Sequence, residues 1–285
     1  VIPMRLPAFL AVLTLAADPL PSFDVFPGKP PGETLTMKEG QDPHGTKTPG
    51  HRGNVFTPEL TPWPSSRPNS PIILICPGGG YSGLADGHEG DEVAKRLNAY
   101  GCGAVILRYR VPRRDPQRPW IVPLIDARAA LEIVRSRAQE WNADPKKVGI
   151  LGFSAGGNLA ARAAYSPSDI AVPRPDFAVM IYPAYLFEKD QPDSILREGP
   201  EGVVPLKGPK PPVPGFFAHS ADDRIPAEGS MALAAKLKSL GGSTEVHVWA
   251  KGGHGWGATD RCEAAKVWTE TLRAWLVDQK LLAPL

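Results

Sequence analysis

The chain is poor in cysteine and histidine, with Cys76, Cys102 and Cys262 its three cysteines and six scattered histidines in 285 residues. Three thiols cannot all pair with one another, and no Cys/His spacing resembles a zinc site, so neither a disulfide scaffold nor a metal centre is indicated. Cys76 and Cys102 sit beside expected strands and Cys262 in an expected helix, where small buried thiols are common, and all three are read as free. Charge bias is also lacking: 32 Lys and Arg against 30 Asp and Glu leave a net charge of +2, which gives no reason to invoke nucleic acid. Nor does any apolar run reach the length of a membrane span. The best candidate, Leu6–Ala16 behind Met4-Arg5 and ahead of Ala17-Asp18-Pro19, is expected to be a secretory leader cut near Ala16 or Ala17. That expectation makes 1–17 a leader and 18–285 one domain of a secreted or periplasmic protein. Because Pro7 interrupts the run, an apolar arm packed on the domain is the alternative.

Residues 18–71 are rich in Pro and Gly and are expected to wrap the surface, with short antiparallel strands near Leu35-Thr36-Met37 and Glu59-Leu60-Thr61. From Ile72 onward, apolar strand patterns at 72–76, 104–109, 147–151, 177–182, 215–219 and 244–249 alternate with helical patterns near 89–100, 122–140, 155–164, 227–240 and 261–280. Such alternation predicts an α/β fold: a mostly parallel central sheet with helices on both faces and ligands at the carboxyl ends of the strands. Pro183–Pro214 is too long for an ordinary connection, and is either an insertion over the site or a surface loop.

Gly152-Phe153-Ser154-Ala155-Gly156 lies between the strand Lys147–Leu151 and a run of good helix formers. A serine at such a strand-to-helix turn is exposed over a helix N-terminus and is the candidate nucleophile. A hydroxyl is a weak nucleophile, so this reading requires a base, an acid to orient the base, and donors for an oxyanion. His254, in a glycine loop after the strand Thr244–Ala250, is the candidate base. Asp222-Asp223 follows the strand ending near His219; Asp222, the first of the pair, is assigned as the acid, and Asp223 is left to cap a helix or pair with Arg224. The chain order Ser, Asp, His agrees with G-x-S-x-G hydrolases. Oxyanion donors are expected from the N–H groups of Gly79, Gly80 and Ala155, because a buried strand ending in Gly78-Gly79-Gly80 lets backbone approach a ligand. A phosphate loop would need Gly-Lys-Ser/Thr, which does not follow, and no cofactor is implied. Among nearby aromatics, Tyr81 and Trp256 are expected to hold the apolar face of a sugar, and Tyr182 is assigned to the core.

The chain resembles the secreted carbohydrate esterases of the α/β-hydrolase superfamily, often labelled acetyl xylan esterases or feruloyl-esterase-like hydrolases. The resemblance rests on Pro77–Tyr81, Glu89–Ala94, Leu107–Arg113, Gly152–Gly157, Tyr182–Tyr185, His219–Asp223 and Gly252–Gly255, within residues 20 to 280. It implies the triad Ser154, Asp222 and His254, the oxyanion hole Gly79, Gly80 and Ala155, and an acylated plant polysaccharide or oligosaccharide as the partner, with no membrane association. Pro77 stands where related lipase-like esterases carry a histidine, so that residue's bracing role is not carried over. A general carboxylesterase, a feruloyl esterase, a serine peptidase using the same triad, and a binding protein that keeps the pocket without turnover are the alternatives.

Overall fold

Parallel strands that are covered on both faces must be apolar at successive positions, and the runs around Ile72–Ile75 and Phe177–Ile181 meet that requirement. In the structure, a computed structural model that describes residues 18–166, 174–186 and 211–284, those runs form the middle of one sheet. The strands are β1 (Phe23–Asp24), β2 (Thr46–Thr48), β3 (His51–Gly53), β4 (Glu59–Trp63), β5 (Ser70–Cys76), β6 (Gly103–Arg108), β7 (Ala143–Phe153), β8 (Phe177–Ile181), β9 (Gly215–Ser220) and β10 (Thr244–Trp249). The helices are α1 (Glu92–Ala99), α2 (Ile121–Arg137), α3 (Ala155–Tyr165), α4 (Glu228–Ser239) and α5 (Glu263–Asp278). Eight strands lie in the order β1-β4-β6-β5-β7-β8-β9-β10, antiparallel at β1 and β4 and parallel from β6 onward. β2 and β3 make a separate hairpin.

Alternate side chains on each strand enter opposite layers. Ile72, Leu74 and Cys76 join Leu131, Leu159 and Leu237 from α2, α3 and α4. Ile73 and Ile75 join Val93 and Leu97 from α1 and Trp268 and Leu272 from α5. Each fully buried aliphatic side chain contributes roughly 1.5–3 kcal/mol, so two such layers hold the central strands rigid beneath the site. Since β5 lies between β6 and β7, the connections leaving β5 and β7 diverge and open a crevice at their carboxyl ends.

The expected strand near Leu35 does not form. Glu33 turns back to accept the Leu35 N–H at 2.8 Å, and Leu35 and Met37 are 40% and 42% exposed, so the segment has neither a strand partner nor an apolar layer to join. Its counterpart near Glu59 does form, as β4, with β1 as its antiparallel neighbour. The leader-like residues 1–17, and 187–210 of the Pro183–Pro214 insertion, lie outside the described residues. All three cysteines are free. Among the described residues no helix is long and apolar enough to cross a membrane.

Past the end of β6, the Arg110 guanidinium meets Asp126 of α2 at 2.6 Å with both side chains wholly buried, and Asp126 also accepts the Arg110 backbone N–H at 3.0 Å. Removing Asp126 leaves the buried Arg110 with only the more distant Glu33 carboxylate, at 3.8 Å and already bonded to Arg114, among the described residues. Asp126→Ala is therefore expected to destabilise the fold by about 3 kcal/mol in urea unfolding.

Candidate active site

Ser154 is the single residue between β7 and α3, and the turn it makes is severe: φ is 51° and ψ is −118°. A serine in that region stores about 1–3 kcal/mol of strain and persists only if its surroundings hold it. They do. The Ser154 N–H donates to the Ile181 carbonyl at 3.0 Å, and its own carbonyl accepts from Ala184 and Asn158 at 2.9 and 3.1 Å. The neighbouring glycines are there for space: a Cβ on Gly152 would lie 1.9 Å from the Gly156 carbonyl oxygen, and one on Gly156 would lie 2.0 Å from that of Cys76. The result lifts the Ser154 hydroxyl into the crevice over the N-terminus of α3.

The loop after β10 returns His254 to that hydroxyl, with Nε2 to Ser154 Oγ at 2.8 Å. The other ring nitrogen, Nδ1, donates to Asp223 at 2.8 Å, which leaves Nε2 free to accept the hydroxyl proton. The carboxylate on His254 is therefore Asp223, and the expectation of Asp222 is corrected. The reason is the turn that leaves β9. Ala221 N–H still pairs with the Trp249 carbonyl, and Asp223 N–H closes a tight turn onto the Ser220 carbonyl at 3.2 Å, which swings Asp222 outward and Asp223 inward. Asp222 is exposed and accepts the Gly253 N–H at 2.8 Å. Asp223 is buried between His254 and His219, whose Nε2 stands 3.3 Å away, and also accepts the Ile225 N–H at 2.8 Å. Burial alone would raise its pKa, but the hydrogen bonds from His219, His254 and Ile225 outweigh it and hold the carboxyl well below the usual carboxylate range.

Gly79 (φ 134°) and Gly80 (φ 64°) curl past Ser154 in conformations that favour glycine. Their N–H groups, with that of Ala155, have no hydrogen-bond partner among the described residues. Beneath this loop, Tyr109 donates to the Pro77 carbonyl at 2.6 Å, and Tyr81 donates to Asn158 at 2.9 Å. Tyr81 is wholly buried and braces the loop; it does not face a substrate, contrary to expectation. Trp256 is corrected likewise. Its glycine neighbours suggest an exposed loop, yet its ring is wholly buried, packed edge-on against Tyr182 at 4.5 Å and donating to Ser220. The half-buried aromatic at the rim is Tyr185, stacked on Tyr81 with its phenol beside Gly80.

Two groups near the site have no assigned role in the sequence reading. His219 supports Asp223 from below, its Nδ1 meeting Ser230 at 2.9 Å and its Nε2 the Ile225 carbonyl at 3.0 Å. Glu89 lies in a single π-helical turn, Gly87–Asp91, that precedes α1, and is buried where it accepts the Gly78 N–H at 2.7 Å and the Tyr182 hydroxyl at 2.8 Å. In the sequence Glu89 is one of four acids within residues 86–92, at the head of the Glu89–Ala94 stretch, and nothing local distinguishes it from the others. Among the described residues no group of three or more His, Cys, Asp or Glu side chains is placed to hold a metal ion.

Comparison with known proteins agrees with the fold. Residues 73–204 match a family described as alpha/beta hydrolase fold. The crystal structure of the acetyl ester-xyloside bifunctional hydrolase from Caldicellulosiruptor lactoaceticus superposes with a TM-score of 0.65 at 30% identity, covering 89% of this chain and 98% of that one. The acetylxylan esterase of Xylanibacter ruminicola is 38% identical over 117 residues, 41% of this chain and 23% of that protein. Carboxylesterase NlhH of Mycobacterium tuberculosis is 33% identical over 148 residues, 51% of this chain and 45% of that protein. The chain thus spans less than half the length of these last two relatives.

Proposed function

We infer, since this chain belongs to the alpha/beta hydrolase family, that it is a carboxylic ester hydrolase working through an acyl-enzyme on Ser154. The observation that carries this is the position of His254, within 2.8 Å of both the Ser154 hydroxyl and the Asp223 carboxylate. Ser154 Oγ attacks the ester carbonyl carbon as its proton passes to His254 Nε2, and Asp223 stabilises the imidazolium that forms. The carbonyl oxygen, now anionic, is met by the N–H groups of Gly79, Gly80 and Ala155; one such donor is worth about 10²–10³ in rate. The C–O bond to the alcohol then breaks and the alcohol leaves with the proton of His254. Water attacks the acyl-serine by the same steps, releasing the acid and restoring the hydroxyl.

The substrate we propose is an acetyl or other short acyl ester of a plant polysaccharide such as xylan. Support comes from the names of the similar hydrolases from Caldicellulosiruptor and Xylanibacter. Burial of Tyr81 and Trp256 removes both from the sugar site, and Tyr185, beside Gly80, is the ring that a substrate would meet. The test is acid release from aryl esters of increasing chain length and from acetylated xylo-oligosaccharides. We expect kcat/KM to fall at least about tenfold from acetyl to octanoyl, as an acyl site selective for acetyl requires, and acetate to be released from the oligosaccharides. A steady rise toward octanoyl would make this a general carboxylesterase, the reading favoured by the likeness to NlhH.

A further inference from the structure

We propose that Glu89 is a positioning residue for the reaction, joined through Tyr182 to the loop that carries His254, so that one buried carboxylate aligns the oxyanion donors with the base. The two functional loops come from opposite parts of the chain, after β5 and after β10, and a chain of short hydrogen bonds joins them. One Glu89 oxygen accepts the Gly78 N–H at 2.7 Å, which fixes the peptide that leads into Gly79 and Gly80. The contact is close: a Cβ on Gly78 would lie 2.7 Å from that carboxylate oxygen and 2.9 Å from Ser154 Cβ. The other oxygen accepts the Tyr182 hydroxyl at 2.8 Å, and the phenol oxygen in turn accepts the Gly257 N–H at 2.7 Å. Tyr182 also sets its ring edge-on to His254, with centroids 5.0 Å apart. A second tie runs beside the first, from the Ala258 N–H to the His88 carbonyl at 2.9 Å.

Chemistry selects a carboxylate here. Both of its oxygens face donors, and an amide in its place would turn its own N–H₂ toward one of them, leaving that donor unsatisfied. Burying a charge is unfavourable, and burial does raise the Glu89 pKa; the hydrogen bonds from Tyr182 and Gly78 and the charge of a protonated His254 all oppose that rise. Attraction is mutual. A negative Glu89 favours the imidazolium that appears only as Ser154 gives up its proton, which makes its effect larger in the transition state than in the resting enzyme.

The proposal rests on the serine-esterase reading, which turnover of an aryl acetate by the wild-type protein tests separately. In an active enzyme we compare E89Q, Y182F and the double variant by steady-state kinetics and by inhibition with phenylboronic acid, whose tetrahedral adduct on Ser154 carries a negative oxygen. Each single change is expected to lower kcat about 10–100-fold with KM within about 3-fold, and to weaken the boronate in step with kcat/KM. The double variant should be no worse than about the poorer single one, because both changes break the same link. If E89Q fails to fold, Y182F, which keeps the ring packed on His254 and Trp256, carries the test alone. Variants that melt earlier but keep wild-type kcat and boronate affinity would overturn the proposal, as would losses that multiply in the double variant.

Discussion

Ser154→Ala is expected to lower ester turnover by roughly 10⁴-fold or more while leaving the melting temperature unchanged or higher. In the proposed mechanism the hydroxyl is the atom that forms the acyl-enzyme, and His254 and the oxyanion donors alone cannot replace it. The turn itself has room for the change: Ser154 is anchored by its backbone to Ile181, Ala184 and Asn158, and among the described residues its hydroxyl bonds only to His254. Far-UV circular dichroism and thermal melts separate chemistry from folding here. Near wild-type hydrolysis in a folded variant would remove Ser154 from the mechanism and the triad with it.

Neighbouring carboxylates should then differ by orders of magnitude. Asp223→Asn replaces an acceptor of the His254 Nδ1–H with an amide that can donate instead, which frees the ring to adopt the wrong tautomer. The expected loss in kcat is on the order of 10³–10⁴. Asp222→Asn keeps an acceptor for the Gly253 N–H at the surface and should stay within about fivefold of wild type, since one exposed hydrogen bond is worth little. Asp223 should also leave its mark on stability against pH. The Asp223 carboxyl is held below its ordinary value in the folded protein, so the stability it contributes is complete above the unfolded value of about 3.9 and is lost as pH falls from there toward the folded value. The gap in melting temperature between wild type and Asp223→Asn should therefore be widest near neutrality and narrow below about pH 4. An unchanged gap down to pH 3 would show that Asp223 is not the paired carboxylate described here.

Much of this molecule was legible because the signals were local. The strand, the turn and the helix around Ser154 are contiguous in sequence, and the glycines at 152 and 156 announce the crowding that the structure contains. His254 followed from a glycine loop at the end of a strand. The choice between Asp222 and Asp223 was not legible, because it depends on one hydrogen bond, from Asp223 N–H to the Ser220 carbonyl, that decides which of two adjacent side chains turns inward. Trp256 misled for a different reason: glycines on either side suggest a wet loop, whereas Tyr182, Trp249 and Trp268, from three distant parts of the chain, close around the indole. Glu89 stands out only after folding, when Gly78 and Tyr182 converge on it from positions 11 residues before and 93 residues after.

The proposed base follows an edge strand. β10 is bonded along one side only, to β9, and its residues are half-buried or exposed, Val248 by 40%. Opening an edge strand takes less free energy than unfolding a sheet whose inner strands are covered on both faces. A molecule with β10 peeled away would keep the strained turn at Ser154, the Asp223 carboxylate and the glycine loop, and lose the His254 imidazole together with the tie from Gly257 to Tyr182. The shortest path from an active to a silent enzyme is thus a local and reversible one, in which nearly all of the native architecture survives and the chemistry does not.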